Sequence, residues 1–244
     1  MTDEWSADYF ASGLFNDQLP PTPHLVRFLT THAGAPVGSR VLELAAGFGR
    51  NLRALQAAGY VVEGVERVEV VVEKARELSP ALASSIHHGD ARTWVGDTPS
   101  DAVLIIGQSL GYGAEEDDQQ VLSAAWNNLR PGGSVVVETF HAGGLANPAP
   151  SHAWHRSGDD VILQAQRYDF VSGRLVGSHE SFRTHVKRDF SVLTFRPCDV
   201  RRLLRIAGFG EPAFFRGYRG EALTPDSPVL IAVAHKTGGR DGGS

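Results

Sequence analysis

The chain has 244 residues, 42% of them hydrophobic and 21% charged, with a formal net charge of −5 at neutral pH. That length and apolar content suit one large α/β domain with its own core, and the acidic balance excludes general affinity for nucleic acid or an anionic membrane. No apolar run approaches the ~20 residues of a membrane span, no signal peptide is expected, and the single cysteine, Cys198, rules out an internal disulfide or a cysteine-cluster metal site; a cytoplasmic protein is expected.

Trp5, Tyr9, Phe10 and Phe15 recur at roughly helical spacing, which predicts a short amphipathic helix over residues 1–15. Pro20, Pro21 and Pro23 punctuate, and a second helix is expected over residues 24–32. Strands and helices then alternate: strand 41–44, helix 51–58, strand 60–65, helix 68–78 closed by Pro80, and strands 85–88 and 102–106. A helix over 116–129, stopped by Pro131-Gly132-Gly133, and a strand over 134–139 follow. Short β-branched runs between helices imply a parallel, doubly wound sheet.

After residue 155 the pattern changes. Segments 161–170, 173–183 and 186–195 are long and alternating, with Ser172-Gly173 between the first two. They predict an antiparallel meander of two or three strands inserted after the fifth strand. Pro197 opens a helix that runs to Ala207 and stops at Gly208, and segments 211–215 and 229–235 are the last strands. The division expected is a helical lid over 1–35, an α/β core over 36–150, the insertion over 151–196, completion of the core over 197–236, and a disordered Gly-rich tail over 237–244.

The residues that carry chemistry sit where strands end, which is where open parallel sheets bind ligands. Arg40 to Asn51 reads R-V-L-E-L-A-A-G-F-G-R-N: a strand, a Gly-x-Gly turn, then a helix start. Lacking a Cβ, Gly47 and Gly49 let the backbone pass close to a ligand, and Glu43 adds a carboxylate beside the turn. The third position after Gly49 is Leu52 rather than Gly, so this is not the dinucleotide fingerprint. The second strand ends in Gly64-Val65-Glu66, an acid suited to both hydroxyls of a ribose, with Glu63 as an earlier rival. The third ends in His88-Gly89-Asp90-Ala91, where Asp90 is either a ligand acceptor or a helix cap. The fourth ends in Gly107-Gln108-Ser109-Leu110-Gly111-Tyr112.

In order and spacing these segments resemble the motifs of class I S-adenosylmethionine-dependent methyltransferases. L-R-P-G-G at 129–133, the late insertion, A-G-F at 207–209 and the closing strand extend the resemblance to nearly the whole chain. Ala45-Ala46 stands where a Gly-Cys pair is commoner. The resemblance implies a doubly wound, mostly parallel seven-stranded sheet, S-adenosyl-L-methionine as methyl donor leaving as S-adenosyl-L-homocysteine, and no metal. It further implies cofactor contacts from Glu43, Ala45, Gly47, Gly49, Arg50, Glu66, Arg67, Asp90, Ala91 and Gln108. The turn faces the methionyl part, Glu66 the ribose, and Asp90 with the next N–H the adenine.

The Ser109-Leu110-Gly111-Tyr112 segment is similar to a small-molecule subgroup that includes amino-sugar and antibiotic N-methyltransferases. There an N-terminal helix closes over the cofactor, and Tyr9 and Tyr112 match the positions that orient the acceptor. His141, directly after the fifth strand, is the third catalytic candidate, as a base; His152 and His155, flanking Trp154 in a loop, are lesser ones. Cys198 is read as a packing thiol. Gln108 and Ser109 replace the carboxylates of metal-assisted O-methyltransferases, and the Pro-Pro-aromatic segment of amino-directed DNA methyltransferases is missing. Residues 151–205 hold ten basic and six acidic side chains, either an attraction for an anionic substrate or solvated strand edges, and the inserted strands are a candidate homo-oligomer contact. N-methylation of a small specialised metabolite, of the antibiotic kind, is favoured. O- or C-methylation, a nicotinamide-dependent reductase and an inert cofactor-binding module stand as alternatives.

Overall fold

The computed structural model describes Leu14, residues 21–145 and residues 151–237. Apart from Leu14, the helix expected over residues 1–15, with Tyr9, lies outside the described residues, as does the tail beyond Thr237. A seven-stranded sheet forms the centre. In chain order its strands are β1 (Arg40–Leu44), β2 (Val61–Glu66), β3 (Ile86–His88), β4 (Ser100–Ile105) and β5 (Leu129–Phe140), with β10 (Ala213–Phe215) and β11 (Val229–His235) completing it. Their spatial order is β10-β11-β5-β4-β1-β2-β3. All neighbours are parallel except β11, which runs antiparallel to both β5 and β10. The doubly wound, mostly parallel seven-stranded sheet expected from the sequence is what forms.

The alternation within β1 decides which face each side chain serves. Val41 packs in the cluster with Phe28 and Leu29 of α1 (Leu25–His32) and Leu52 and Leu55 of α2 (Arg50–Ala57). Leu42 and Leu44 face the other way, toward Leu122 of α4 (Glu115–Asn128) and Leu203 and Leu204 of α5 (Pro197–Ala207). Between β2 and β3, α3 (Glu69–Leu78) adds Val72 and Ala75 to the first cluster. Full burial of each such aliphatic side chain is worth ~1.5–3 kcal/mol. Both helices on the second face are capped by an acid three residues in: Asp117 accepts from the Ala114 N–H and Asp199 from the Arg196 N–H, each at 3.0 Å. Cys198, in the first turn of α5, is exposed, so the packing-thiol reading is corrected.

The insertion is a sheet of four strands rather than two or three: β6 (Ser151–Ser157), β7 (Asp160–Asp169), β8 (Arg174–Ser181) and β9 (Lys187–Leu193), each antiparallel to the next. The expected loop around Trp154 is therefore the edge strand β6. Asp160 locks one corner, its carboxylate accepting from Ser181 Oγ at 2.5 Å and from the N–H groups of Val161 and Arg183. The sheet is sewn to the core at two places. The Gly111 carbonyl accepts from the Leu193 N–H at 2.8 Å and from Arg174 Nη2 at 2.9 Å, and the Phe195 N–H donates to the Phe140 carbonyl at 2.8 Å. Period-two alternation then turns Gln164, Gln166, Leu175, His179 and Phe190 toward the core, while Trp154, Leu163 and Phe182 stay exposed. Among the described residues, no helix is long and apolar enough to cross a membrane.

Candidate active site

A cavity of about 570 Å³ opens beyond the carboxyl ends of β1, β2, β3 and β4 and is roofed by the inner face of the inserted sheet. Its size lies within the ~300–1,000 Å³ of ligand pockets. At its floor the chain turns sharply, with Ala45, Gly47 and Gly49 all at positive φ (60°, 54° and 69°). For Ala45 this left-handed backbone costs ~1–2 kcal/mol. A Cβ on Gly47 would meet no heavy atom within 4 Å, so that glycine bounds open cavity. Gly49 behaves differently. Its missing Cβ would sit 3.4 Å from Leu82 and 3.8 Å from Ile86, so it caps α2 against the core and does not line the cavity, contrary to expectation.

Glu43 is 3% exposed. One oxygen accepts from Asn51 Nδ2 at 2.9 Å, and the other is sealed in without a partner. Burial pushes its pKa up to about 7, against the opposing pull of Asn51 and Arg50. Asn51, which the sequence reading did not single out, also accepts from the Thr22 N–H at 2.9 Å, tying the segment before α1 to this floor. Glu66 reaches back from the end of β2, accepting the Gly47 N–H and the Val68 N–H, each at 3.0 Å. It thereby holds the glycine turn, and its burial raises its pKa. The rival Glu63 points elsewhere, toward Trp94 Nε1 at 3.3 Å and His87 Nε2 at 3.8 Å, outside the cavity lining.

Ala45, Arg50, Arg67, Ala91, Gln108 and Tyr112 line the cavity, and Asp90 does so with a partner that was not foreseen. Its carboxylate is gripped by Arg92 Nη2 at 2.6 Å and Nε at 3.0 Å, which holds its pKa below the usual range. Arg92 also reaches Asp117 at 2.7 Å, bridging the end of β3 to the first turn of α4. Gln108, a non-glycine at φ 58°, donates its amide to Glu138, whose other oxygen accepts from the Tyr218 hydroxyl at 2.6 Å. Glu138 and Tyr218 lie in β5 and after β10, where no motif marked them.

His141 does not line the cavity. It is buried, with Nδ1 at 2.8 Å from the Ser227 carbonyl, and its ring lies against Gly143. The role of base expected of it is corrected on that ground: the bridge to Phe195 and the Ser227 contact turn the residue toward the β11 side. His152 and His155 are also outside the lining, on β6. The histidine that does line the cavity is His179 on β8, stacked on Phe190 with ring centroids 4.9 Å apart and planes at 24°. Burial, then His155, lowers its pKa from 6.5.

Around this far half of the cavity stand Tyr112, Phe140, Leu175, Val192 and the amides of Gln164 and Gln166. Burial raises the Tyr112 phenol above its ordinary pKa. Asp118, in the first turn of α4, accepts the Gly111 N–H at 2.9 Å; its second oxygen is sealed without a partner, and desolvation lifts its pKa to about 6. Among the described residues no group of three or more His, Cys, Asp or Glu side chains is placed to hold a metal ion.

Residues 41–133 match the methyltransferase-domain family. The demethylmenaquinone methyltransferase of Clavibacter sepedonicus is 32% identical over 216 residues, 86% of this chain and 80% of that protein. The methyltransferase CcbJ of Streptomyces caelestis superposes with a TM-score of 0.80 at 20% identity, over 97% of this chain and 100% of its own. CalS10 of Micromonospora echinaspora, an amino pentose methyltransferase of calicheamicin biosynthesis solved with S-adenosylmethionine, superposes with a TM-score of 0.65 at 20% identity, over 97% and 92%. These two structures share the fold.

Proposed function

Because the chain belongs to the S-adenosylmethionine-dependent methyltransferases, we propose that it methylates an amine nitrogen of a small acceptor held under the inserted sheet. When bound, the donor supplies a methyl group on a positively charged sulfur. The floor of the cavity suits that donor: Glu43 keeps a buried oxygen with no partner, and Gly47 borders open space, with no heavy atom within 4 Å of where a Cβ would stand. On this reading Glu43 and the Ala45–Gly47 turn, with Arg50 and Gln108, hold the methionyl end. Glu66 and Arg67 take the ribose, and Asp90 and Ala91 the adenine.

The observation that carries the amine is the charge around the far half of the cavity. The ionisable acid there is Asp118, and among the described residues the cations of the lining, Arg50, Arg67 and Arg92, stand at the donor's end, Arg92 bound to Asp90 and Asp117. A wall of that sign favours a cationic amine over an anionic phenolate or carboxylate. The site's remaining work is alignment and exclusion of water. The rest of the wall, Phe140, Leu175, Phe190 and Val192, is apolar and suits a compact ring. Of the lid read over residues 1–35, α1 is packed into the core, and the lid role is proposed for the segment before it, with Tyr9 meeting Tyr112; the Thr22–Asn51 bond, which brings the chain to the cavity floor, supports this.

A second reading, methylation of a ring carbon on a quinol, is favoured by the named activity of the 32% identical relative and by the same apolar wall. Incubation with isotopically methyl-labelled donor and with glucosamine, phenethylamine, aniline and a demethylated naphthoquinol separates the two. Label on nitrogen is expected; label on the quinol carbon alone overturns the amine reading.

A further inference from the structure

Glu138, two residues before the end of β5, is 9% exposed and does not line the cavity. A buried carboxylate is costly unless its lone pairs are met. Three donors meet them here. The Gln108 side-chain amide donates to one oxygen; the Tyr218 hydroxyl at 2.6 Å and the Gly107 N–H at 3.5 Å donate to the other. Tyr218 is braced in turn, its ring packed edge-on against Phe28 of α1 with centroids 5.2 Å apart. The chain at the end of β4 is wound to reach this acid. Gly107 and Gln108 are consecutive left-handed residues, at φ 75° and 58°, a conformation that a residue with a Cβ rarely takes. Glu138 holds one by its backbone N–H and the other by its side chain.

That bond decides which way the Gln108 amide points. An ionised carboxylate only accepts, so the NH2 group must face Glu138, and the carbonyl oxygen is what Gln108 offers to the cavity it lines. Among the described residues nothing hydrogen-bonds to that oxygen.

Resting on the donor placement above, we propose that Glu138 is a positioning residue for the donor's amino-acid end: through the Gln108 amide it turns a carbonyl oxygen toward the α-ammonium of the methionyl group. The charge behind the amide polarises it and makes that oxygen a better acceptor. Glu138 also lies close enough to Glu43 to help push its pKa up, so both acids act on the same end of the cavity. A second carboxylate in the wall itself would repel the donor's own carboxylate. An amide in between passes on the negative potential without presenting that charge.

The test is calorimetry with two ligands, S-adenosylhomocysteine, which carries the amino-acid end, and 5′-methylthioadenosine, which lacks it. Wild type is compared with Glu138→Gln, Gln108→Met and the double variant. Glu138→Gln keeps the size of the side chain but can donate as well as accept, so it no longer forces one orientation on Gln108. S-adenosylhomocysteine should bind about 10-fold more weakly to either variant, and no more weakly to the double one, while 5′-methylthioadenosine binds as before. An equal loss for both ligands assigns Glu138 to packing and overturns the proposal, as does an unchanged ratio of the two affinities. A wild type that binds the two ligands alike is a separate failure, that of the donor placement, and the proposal falls with it. A second measurement needs no change at Glu138. The Gln108 side-chain NH2 signals in the NMR spectrum, assigned by their loss in Gln108→Met, should exchange slowly with water and shift in Tyr218→Phe. A freely exchanging pair, blind to Tyr218, overturns the proposal.

Discussion

Glu43 stores a pH dependence that can be worked out in advance. Its carboxyl, buried at the end of β1, has a pKa of about 7 against an ordinary value of 4.5. A carboxyl raised in this way binds its proton more tightly in the folded chain than in the unfolded one. The stability it contributes is therefore full below about 4.5 and is lost as pH rises through about 7. At ~1.4 kcal/mol per unit, the loss across the window is about 3 kcal/mol. Glu43→Gln cannot ionise, so between about pH 5 and about pH 8 it should escape most of that loss. The difference between the two slopes is the quantity to measure, because any constant cost of burying the amide cancels in it. For a chain of this size each kcal/mol moves Tm by ~2–4 °C. Thermal unfolding at the two pH values should thus show the wild type falling several degrees relative to the variant. Cofactor affinity should do the opposite. An ammonium beside Glu43 favours the carboxylate, so wild-type affinity for S-adenosylmethionine rises over the same window while that of Glu43→Gln stays flat and lower. Parallel stability slopes in the two proteins would refute the reasoning.

Glu66→Ala removes the acceptor of both the Gly47 and Val68 N–H groups as well as the proposed ribose partner, and calorimetry should show S-adenosylmethionine binding about 10- to 100-fold weaker; unchanged affinity would remove Glu66 from the ribose. Gly111→Ala would place a Cβ 2.7 Å from the Leu193 carbonyl at a backbone φ of 89°. The seam between the β4 loop and β9 should open at a cost of ~1–3 kcal/mol, with turnover falling further than cofactor affinity. Methyl transfer should survive excess EDTA, since Gln108 and Ser109 stand where metal-assisted relatives carry carboxylates; loss on chelation, restored by magnesium, would contradict this.

The sheet was legible because its strands are short β-branched runs closed by glycine turns, and burial on both faces leaves such runs little alternative. The edge strand β6 was not. Ser-His-Ala-Trp-His-Arg-Ser has neither β-branched residues nor a buried face, and only its pairing with β7 makes it a strand. At the site, the rule that chemistry follows a parallel strand placed Glu66, Asp90 and Gln108 on the cavity and misplaced His141. β5 is flanked by the antiparallel β11, whose approach puts the Ser227 carbonyl within reach of the ring. His179 was out of reach for another reason: alternation says which residues share a face with Gln164 and Phe190, but not what that face covers. Glu138 and Asn51 serve as partners of marked residues, and a partner has no signature until the strands are side by side.

The arrangement as a whole stands on one observation still to be made, a crystal structure with S-adenosylhomocysteine bound. The homocysteine end is expected at Glu43 and the turn around Gly47, with the ribose hydroxyls on Glu66 and the adenine between Asp90 and Ala91. The space under Gln164, His179 and Phe190 should then remain open for an acceptor. A nucleoside lodged instead under the inserted sheet, with the floor at Glu43 empty, would contradict the account.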